Sequence, residues 1–330
     1  MPLTVEAPGD NRPAVNPLVI GLINNMPDPA LEATEAQFRA LLAAAAGARN
    51  VRLRFSSLRE VPRGPRALEH IADSYWPLND LLAEPRHALI ITGTEPHSAA
   101  LEEEPYWERM VELLDWTQRH TISSIWSCLA AHAAVQARDG IRRVRLPEKH
   151  FGVFEHTPLG AHPLLRGIER PLRIPHSRWN ELRPAELRAA GYTIASASAE
   201  NGVDIFTKPG RSLLVGLQGH PEYEDTTLLK EYRRDVGRFL RGEQAAWPAM
   251  PRGYFSPEAI GLLETFRKRA DSARDPSLLA DFPATAVAAG LRAPWRPAAL
   301  RIYQNWLSHL AAANERTPRS HSIQVSSEQA

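Results

Sequence analysis

The stretch His120-Thr121-Ile122-Ser123-Ser124-Ile125-Trp126-Ser127-Cys128-Leu129-Ala130-Ala131-His132-Ala133-Ala134-Val135 decides how this chain folds. Its first half is rich in β-branched and aromatic residues, which fit a pleated strand. Its second half is rich in alanine and leucine, which fit a helix. A strand that runs straight into a helix leaves the junction residue at the carboxyl edge of a sheet, beside a helix N-terminus. That residue is Cys128, the single cysteine among 330 residues. The positive end of the helix dipole favours a thiolate there.

The same alternation recurs on both sides. Leu18-Val19-Ile20-Gly21-Leu22-Ile23 and His87-Ala88-Leu89-Ile90-Ile91-Thr92-Gly93 are apolar runs of the kind buried on both faces of a sheet. Residues 51–55 and 213–217 read as further strands. A helix is expected after Met26, with Asp28 as its N-cap and Pro29 at its first position. Leu31, Phe38, Leu41, Leu42 and Ala45 give it an apolar face. Residues 106–119 read as an amphipathic helix, and residues 56–82 show no strong period. Buried strands alternating with helices predict an α/β fold, a doubly wound, mostly parallel sheet. Prolines become frequent beyond residue 240. Helices are expected there over 257–273 and 298–312, as C-terminal additions. Residues 1–16 are expected to form a flexible arm and 318–330 a disordered tail.

Composition narrows the function. Hydrophobic residues make up 43% and charged residues 23%, as in ordinary soluble proteins. A net charge of +1 offers no bulk attraction to nucleic acid or anionic membrane, so neither is expected as a partner. No apolar run reaches eighteen residues, and the opening residues lack a signal-peptide pattern. One cysteine allows no internal disulfide and no cysteine cluster for zinc. A cytoplasmic setting and no metal are the expectations.

Ligands of such folds sit beyond the carboxyl ends of the strands. Gly93-Thr94-Glu95, Cys128 and Gly219-His220-Pro221-Glu222 all fall at such ends. His220 and Glu222 are two residues apart, so in extended backbone both side chains point the same way. The carboxylate can then fix the imidazole tautomer and stabilise its cation. With Cys128 they make the parts of a Cys-His-Glu nucleophilic triad. A lone cysteine on an apolar strand is more often a small core residue. Gly219 and Pro221 alone would mark an ordinary turn. The conjunction is what points to catalysis. The backbone N–H groups of Glu95 and Leu129 are the expected oxyanion donors. Lys149, Arg178 and Arg234 are candidate anion binders, and residues 176–182 are expected to be a polar binding loop after Pro175.

Several motifs, in order, resemble the homoserine O-succinyltransferase (homoserine O-acyltransferase) family. They are Ile23-Asn24-Asn25-Met26-Pro27 with Thr34-Glu35-Ala36-Gln37-Phe38, Ile91-Thr92-Gly93, Tyr106-Trp107 with Asp115-Trp116, and Lys149-His150-Phe151-Gly152-Val153-Phe154-Glu155-His156. Pro175-His176-Ser177-Arg178, Gly219-His220-Pro221-Glu222-Tyr223, Glu231-Tyr232-Arg233-Arg234-Asp235 and Asn305-Trp306-Leu307 continue the series. The resemblance implies a flavodoxin-like fold similar to class I glutamine amidotransferases, with a single acyltransferase domain over residues 17–317. It implies that Cys128 is the acyl-thioester nucleophile, His220 the general base and Glu222 its partner. Lys149, Ser177 and Arg234 fall where the family binds its amino-acid substrate, L-homoserine. No cofactor is implied; the acyl-CoA is a co-substrate, and the product belongs to methionine biosynthesis. A homodimer is the expected assembly.

The sequence departs from the family pattern at Leu129-Ala130-Ala131-His132, where an aromatic residue and then a glutamine usually follow the cysteine. Residues 257–281 look like an insertion. His97 stands at the position that tunes acyl-CoA choice. Acetyl-preferring members resemble one another in having glutamate there, which would repel a succinyl carboxylate, so succinyl-CoA is the expected donor. Acetyl-CoA is the first alternative. A glutamine amidotransferase-type amidase with the same triad is the second, and a catalytically dead binding protein the third.

Overall fold

The computed structural model describes residues 3–8 and 17–316. Its main sheet has eight strands: β1 (Leu3–Val5), β2 (Leu18–Ile23), β3 (Val51–Ser56), β4 (Ala88–Ile91), β5 (Ser123–Ser127), β8 (Thr193–Ile194), β11 (Ile205–Lys208) and β12 (Leu213–Leu217). They lie in the order β1-β3-β2-β4-β5-β12-β11-β8. The first six run parallel, and β11 and β8 close the sheet antiparallel. The order β3-β2-β4-β5-β12 reverses between β2 and β4, which makes that edge the topological switch point. The expected doubly wound, mostly parallel sheet is the fold.

Strand alternation explains why these runs carry no polar side. In β4, Ala88 and Ile90 face one core cluster while Leu89 and Ile91 face another. The first cluster is roofed by α1 (Asp28–Ala46) and α10 (Arg296–Arg316). Ile302, Tyr303, Trp306, Leu307 and Leu310 of α10 are all buried, each worth about 1.5–3 kcal/mol of burial. Trp306 Nε1 also donates to Ser123 Oγ at 3.0 Å, tying the C-terminal helix to β5. The opposite face is covered by α4 (Trp107–His120), α5 (Leu129–Asp139) and α6 (Pro184–Ala189). Two short helices, α2 (Pro65–Ser74) and α3 (Leu78–Leu82), occupy the segment without a clear period.

Three expectations are corrected. Leu3–Val5 is not a loose arm but an edge strand, paired with β3 through the register Leu3↔Val51 to Val5↔Leu53. The rest of the arm and the tail lie outside the described residues, apart from residues 6–8 after the strand. Asp28 is not the N-cap of α1; Pro27 is, and Asp28 opens the helix. Its Oδ2 accepts the Gly64 N–H at 2.7 Å, at the cap of α2. Residues 176–182 are not a loop. Most of them belong to β7 (Leu172–Glu181), which pairs antiparallel with the long β6 (Val144–Pro158). With β9 (Ser196–Ser198) and β10 (Gly202–Val203) they form a second, four-stranded sheet. The polar run hides this strand because its partner lies far away in sequence and its faces look onto the site rather than a plain core.

The remaining helices, α7 (Thr227–Leu240), α8 (Pro257–Ala273) and α9 (Ala284–Ala288), pack into a third cluster around Tyr232, Leu263, Phe266 and Trp295. Two buried asparagines fix the carboxyl end of β2, one to the end of β4 and one to α1. Asn25 N–H donates to Thr92 Oγ1 at 2.8 Å, and Asn24 Nδ2 to the Leu31 carbonyl at 2.9 Å. No described helix is long and apolar enough to cross a membrane.

Candidate active site

Cys128 stands between β5 and α5 with φ 53° and ψ −114°, a backbone conformation that L-residues rarely take. Its N–H donates to the Leu217 carbonyl of β12 at 2.7 Å, and its carbonyl accepts the first helical bonds from Ala131 and His132. The turn is therefore pinned on both sides, which is what a strained position needs to persist. It leaves Cys128 partly exposed at the sheet edge.

His220 follows β12, the strand beside β5. Its Nδ1 lies 2.8 Å from Glu222 Oε1, and both residues are buried. The i,i+2 spacing thus delivers the pair as expected. Burial alone would pull the His220 pKa down. The negative charges of Glu222 and of Cys128, with hydrogen bonds to both, outweigh it and hold the imidazole well above its ordinary value. The imidazole also stacks on Tyr223, with ring centroids 4.4 Å apart.

Gly93 packs against the first turn of α5. A Cβ there would lie 2.8 Å from Leu129 Cβ, 3.1 Å from Leu129 N and 3.3 Å from Ala130 N. The missing side chain leaves a space facing N–H groups that have no partner inside the helix. Glu95 points away from it: its exposed carboxylate pairs with Arg238 of α7 at 2.9 Å. His97 is exposed on the same loop, and Glu104 Oε1 accepts its backbone N–H at 2.7 Å.

Lys149, Ser177 and Arg234 come from β6, β7 and α7 and converge on two carboxylates of α7. Lys149 Nζ is 3.0 Å from Asp235, Arg234 is 2.8 Å from Asp235, and Ser177 Oγ donates to Glu231. Tyr223 Oη donates to Glu231 at 2.5 Å, which links this group to the ring stacked on His220. Burial would raise the Asp235 pKa, but the charges of Lys149 and Arg234 bring it below the usual carboxylate range. Neither Glu231 nor Asp235 stood out in the sequence, although both lie in the motif that contains Arg234.

A second group supports the His220 turn. Asp204 Oδ1 accepts the Gly219 N–H at 3.0 Å and lies 3.6 Å from His176 Nε2. Arg178 Nε donates to His176 Nδ1 at 3.3 Å. A Cβ on Gly219 would come within 2.8 Å of His176 Nε2 and 2.9 Å of Asp204 Oδ1, so only glycine fits. His156, His176 and Asp204 are the metal-type cluster among the described residues, with ligand atoms within 4.8 Å of one another. The Gly219 N–H donates to Asp204 Oδ1 and Arg178 Nε to His176 Nδ1, so the cluster braces the His220 turn. His132, where the sequence departs from the family pattern, has a structural role as well: its Nε2 meets Gln218 Oε1 at 2.8 Å, and burial takes its pKa down to about 3. Neutral His132 thereby holds the end of β12.

The arrangement suits nucleophilic acyl chemistry: a sulfur on a strained elbow, a buried imidazole–carboxylate pair, and N–H donors facing an open space. Among solved structures, the chain is similar to a glutamine amido transferase from Methylobacillus flagellatus. The TM-score is 0.52 at 15% identity, covering 94% of this chain and 99% of that one, a likeness of fold. Among known sequences, it is 45% identical over 303 residues to a homoserine O-succinyltransferase of Rhodopseudomonas palustris, covering 92% of this chain and 91% of that protein. Proteins of the same description from Bradyrhizobium japonicum and Methylorubrum extorquens are each 43% identical, covering 94% and 90% of this chain and 95% and 88% of their own lengths. The family model described as homoserine O-succinyltransferase matches residues 4–317. With that match spanning nearly the whole chain and relatives this similar, the chain belongs to the homoserine O-succinyltransferase family.

Proposed function

We propose that this protein transfers a succinyl group from succinyl-CoA to the γ-hydroxyl of L-homoserine, a step of methionine biosynthesis, through a thioester on Cys128. The observation that carries the reading is Cys128 on its left-handed elbow within hydrogen-bonding reach of a buried His220–Glu222 pair. The Cys128 thiolate attacks the thioester carbonyl, and the N–H of Leu129 with one from the Gly93-Thr94-Glu95 turn holds the oxyanion. Coenzyme A leaves as its thiol, taking the proton of the His220 imidazolium. Acylation removes the thiolate charge that helped to raise the His220 pKa. Having given up its proton, the imidazole is neutral and can act as a base. It takes the proton of the homoserine γ-hydroxyl, the alkoxide attacks the acyl carbonyl, and Cys128 leaves as thiolate beside the reformed imidazolium. Lys149 and Arg234 suit the α-carboxylate of homoserine, and Glu231 and Asp235 its ammonium group.

Intact-mass measurement tests the route. Wild type with succinyl-CoA alone should gain one succinyl group on Cys128, and with homoserine added should yield O-succinylhomoserine. Cys128→Ala should fold and do neither. Acetyl-CoA should be the poorer donor, and His97→Glu should move the preference toward it. A Cys128→Ala variant that keeps its rate would end the covalent reading, and ammonia released from glutamine would favour amidase chemistry instead.

A further inference from the structure

His220 is held by contacts that lie at the edge of its ring. Its Nδ1 is 2.8 Å from Glu222 Oε1, and the imidazole is hydrogen-bonded to Cys128 as well. Two bonds at the edge of a flat ring leave it free to roll about the line between them. The face of the ring needs a restraint of its own, and Tyr223 provides one. The two rings stack with centroids 4.4 Å apart and planes 16° apart. Both residues are only 6% exposed, so the stack lies inside the protein.

Tyr223 is fixed at both ends. At the backbone end its N–H donates to the His220 carbonyl at 3.2 Å, and its carbonyl accepts Trp295 Nε1 at 2.8 Å. At the far end its Oη donates to Glu231 Oε1 at 2.5 Å. Burial and the charge of Glu231 push the Tyr223 pKa well above its ordinary value, so the hydroxyl keeps the proton it donates. Glu231 is fixed in turn. Its Oε2 accepts from Ser177 Oγ and lies 3.9 Å from both Lys149 Nζ and Arg234 Nη2. Donation to a carboxylate also enriches the tyrosine ring in electrons, and the negative face of such a ring favours an imidazolium over it.

We propose that Tyr223 is a positioning residue for His220: its ring, anchored through the hydroxyl to Glu231, sets the plane of the imidazole. Glu231 then has two tasks. It meets the ammonium group of the acceptor, and through Tyr223 it governs the first half of the reaction, in which no acceptor takes part. The clamp rests on the acyl-transfer reading above and extends it, because it ties the base to the acceptor subsite. Without the anchor the tyrosine ring can swing away and the imidazole can roll out of line with Cys128 and the departing thiol. A misplacement of about 1 Å can cost on the order of a hundredfold in rate.

The experiment follows adduct formation on Cys128 by intact mass, without homoserine, over a range of succinyl-CoA concentrations. Wild type is compared with Tyr223→Phe, Glu231→Ala, Glu231→Gln and the double variant that combines Tyr223→Phe with Glu231→Ala. Tyr223→Phe and Glu231→Ala should each lower the limiting rate about five- to fiftyfold and leave the half-saturating concentration within about twofold. The double variant should be within about twofold of the slower single one, because both changes remove the same hydrogen bond. Glu231→Gln, which still accepts from the hydroxyl but carries no charge, should fall between wild type and alanine. A Tyr223→Phe rate within about twofold of wild type, or losses that multiply in the double variant, overturns the clamp. A loss confined to the half-saturating concentration overturns it as well. If Tyr223→Phe does not fold, position 231 decides: an alanine variant no slower than glutamine overturns the clamp. Homoserine added to the wild-type adduct separates the two readings. An adduct that yields no O-succinylhomoserine overturns the acceptor assignment and leaves the clamp standing. A wild type that acylates homoserine, with Tyr223→Phe forming the adduct at the same rate, overturns the clamp alone. A wild type with no adduct overturns both.

Discussion

His220 shows how three residues share one charge. Burial disfavours its imidazolium, and the carboxylate of Glu222 and the sulfur of Cys128 restore it. Glu222→Gln removes one of these charges and Cys128→Ala the other. Each should lower the titration midpoint of the His220 imidazole, read by ¹H–¹⁵N NMR against the wild type. Glu222→Gln should also cost about a thousandfold in turnover, because an amide does not stabilise the imidazolium that forms in the reaction. An unchanged His220 midpoint in both variants would mean that the pair is not coupled. At this scale the sequence was readable. The cysteine at a strand–helix junction and the i,i+2 spacing of His220 and Glu222 are local patterns, and local geometry follows from them. Glu231 and Asp235 were not readable. Nothing in Glu231-Tyr232-Arg233-Arg234-Asp235 shows that these carboxylates would meet Ser177 and Lys149 from the second sheet.

Between elements, the decisive contact is Gly93 at the end of β4 against the first turn of α5. An atom at its Cβ position would sit 3.1 Å from Leu129 N, a hydrogen-bonding distance. Gly93→Ala would therefore fill the space that the acyl-transfer proposal gives to the oxyanion. Turnover should fall about 10²–10³-fold with little change in KM, since the lost interaction belongs to the transition state. Steady-state kinetics with a parallel melting curve checks this, and an alanine variant with wild-type kcat would show that the space is not used. The strands β2, β4 and β12 announced themselves as apolar runs because both faces are covered. The strand β7 did not. Its Pro175, Ser177 and Trp179 alternate with Ile174, His176 and Arg178, and the buried side of that alternation is itself partly charged. A pattern rule built on hydrophobicity reads such a strand as a loop.

For the whole molecule, histidine burial sets the response to acid. Seven histidines, His87, His132, His150, His156, His162, His176 and His309, have pKa values pulled down chiefly by burial. His132, His156 and His176 are the most enclosed. Below about pH 6.5 the unfolded chain takes up protons that these native imidazoles refuse. The stability they contribute is present above that pH and is lost as pH falls toward their folded values. His220 has the opposite sign: its contribution is full below about pH 6.5 and fades as pH rises through its higher folded value. The three enclosed imidazoles outnumber it. Urea midpoints should fall between pH 7 and pH 5, each refused proton costing up to about 1.4 kcal/mol per pH unit. His132→Gln, which can still donate to Gln218, should flatten the slope by up to that amount. A level stability profile from pH 7 to pH 5 would contradict the burial argument.

The sequence by itself determined the parallel sheet, the cysteine elbow and the histidine–glutamate pair, since each is written in residues close together along the chain. The resemblance to known proteins supplied Ser177 and grouped it with Lys149 and Arg234 at one substrate site, which no periodicity does. Only the tertiary structure decided that these three meet at Glu231 and Asp235, and that Asp204 and His176 brace the His220 turn. The reason is physical. Strand and helix signals arise from interactions within a few residues, whereas a site is made by packing elements whose separation along the chain leaves no periodic trace.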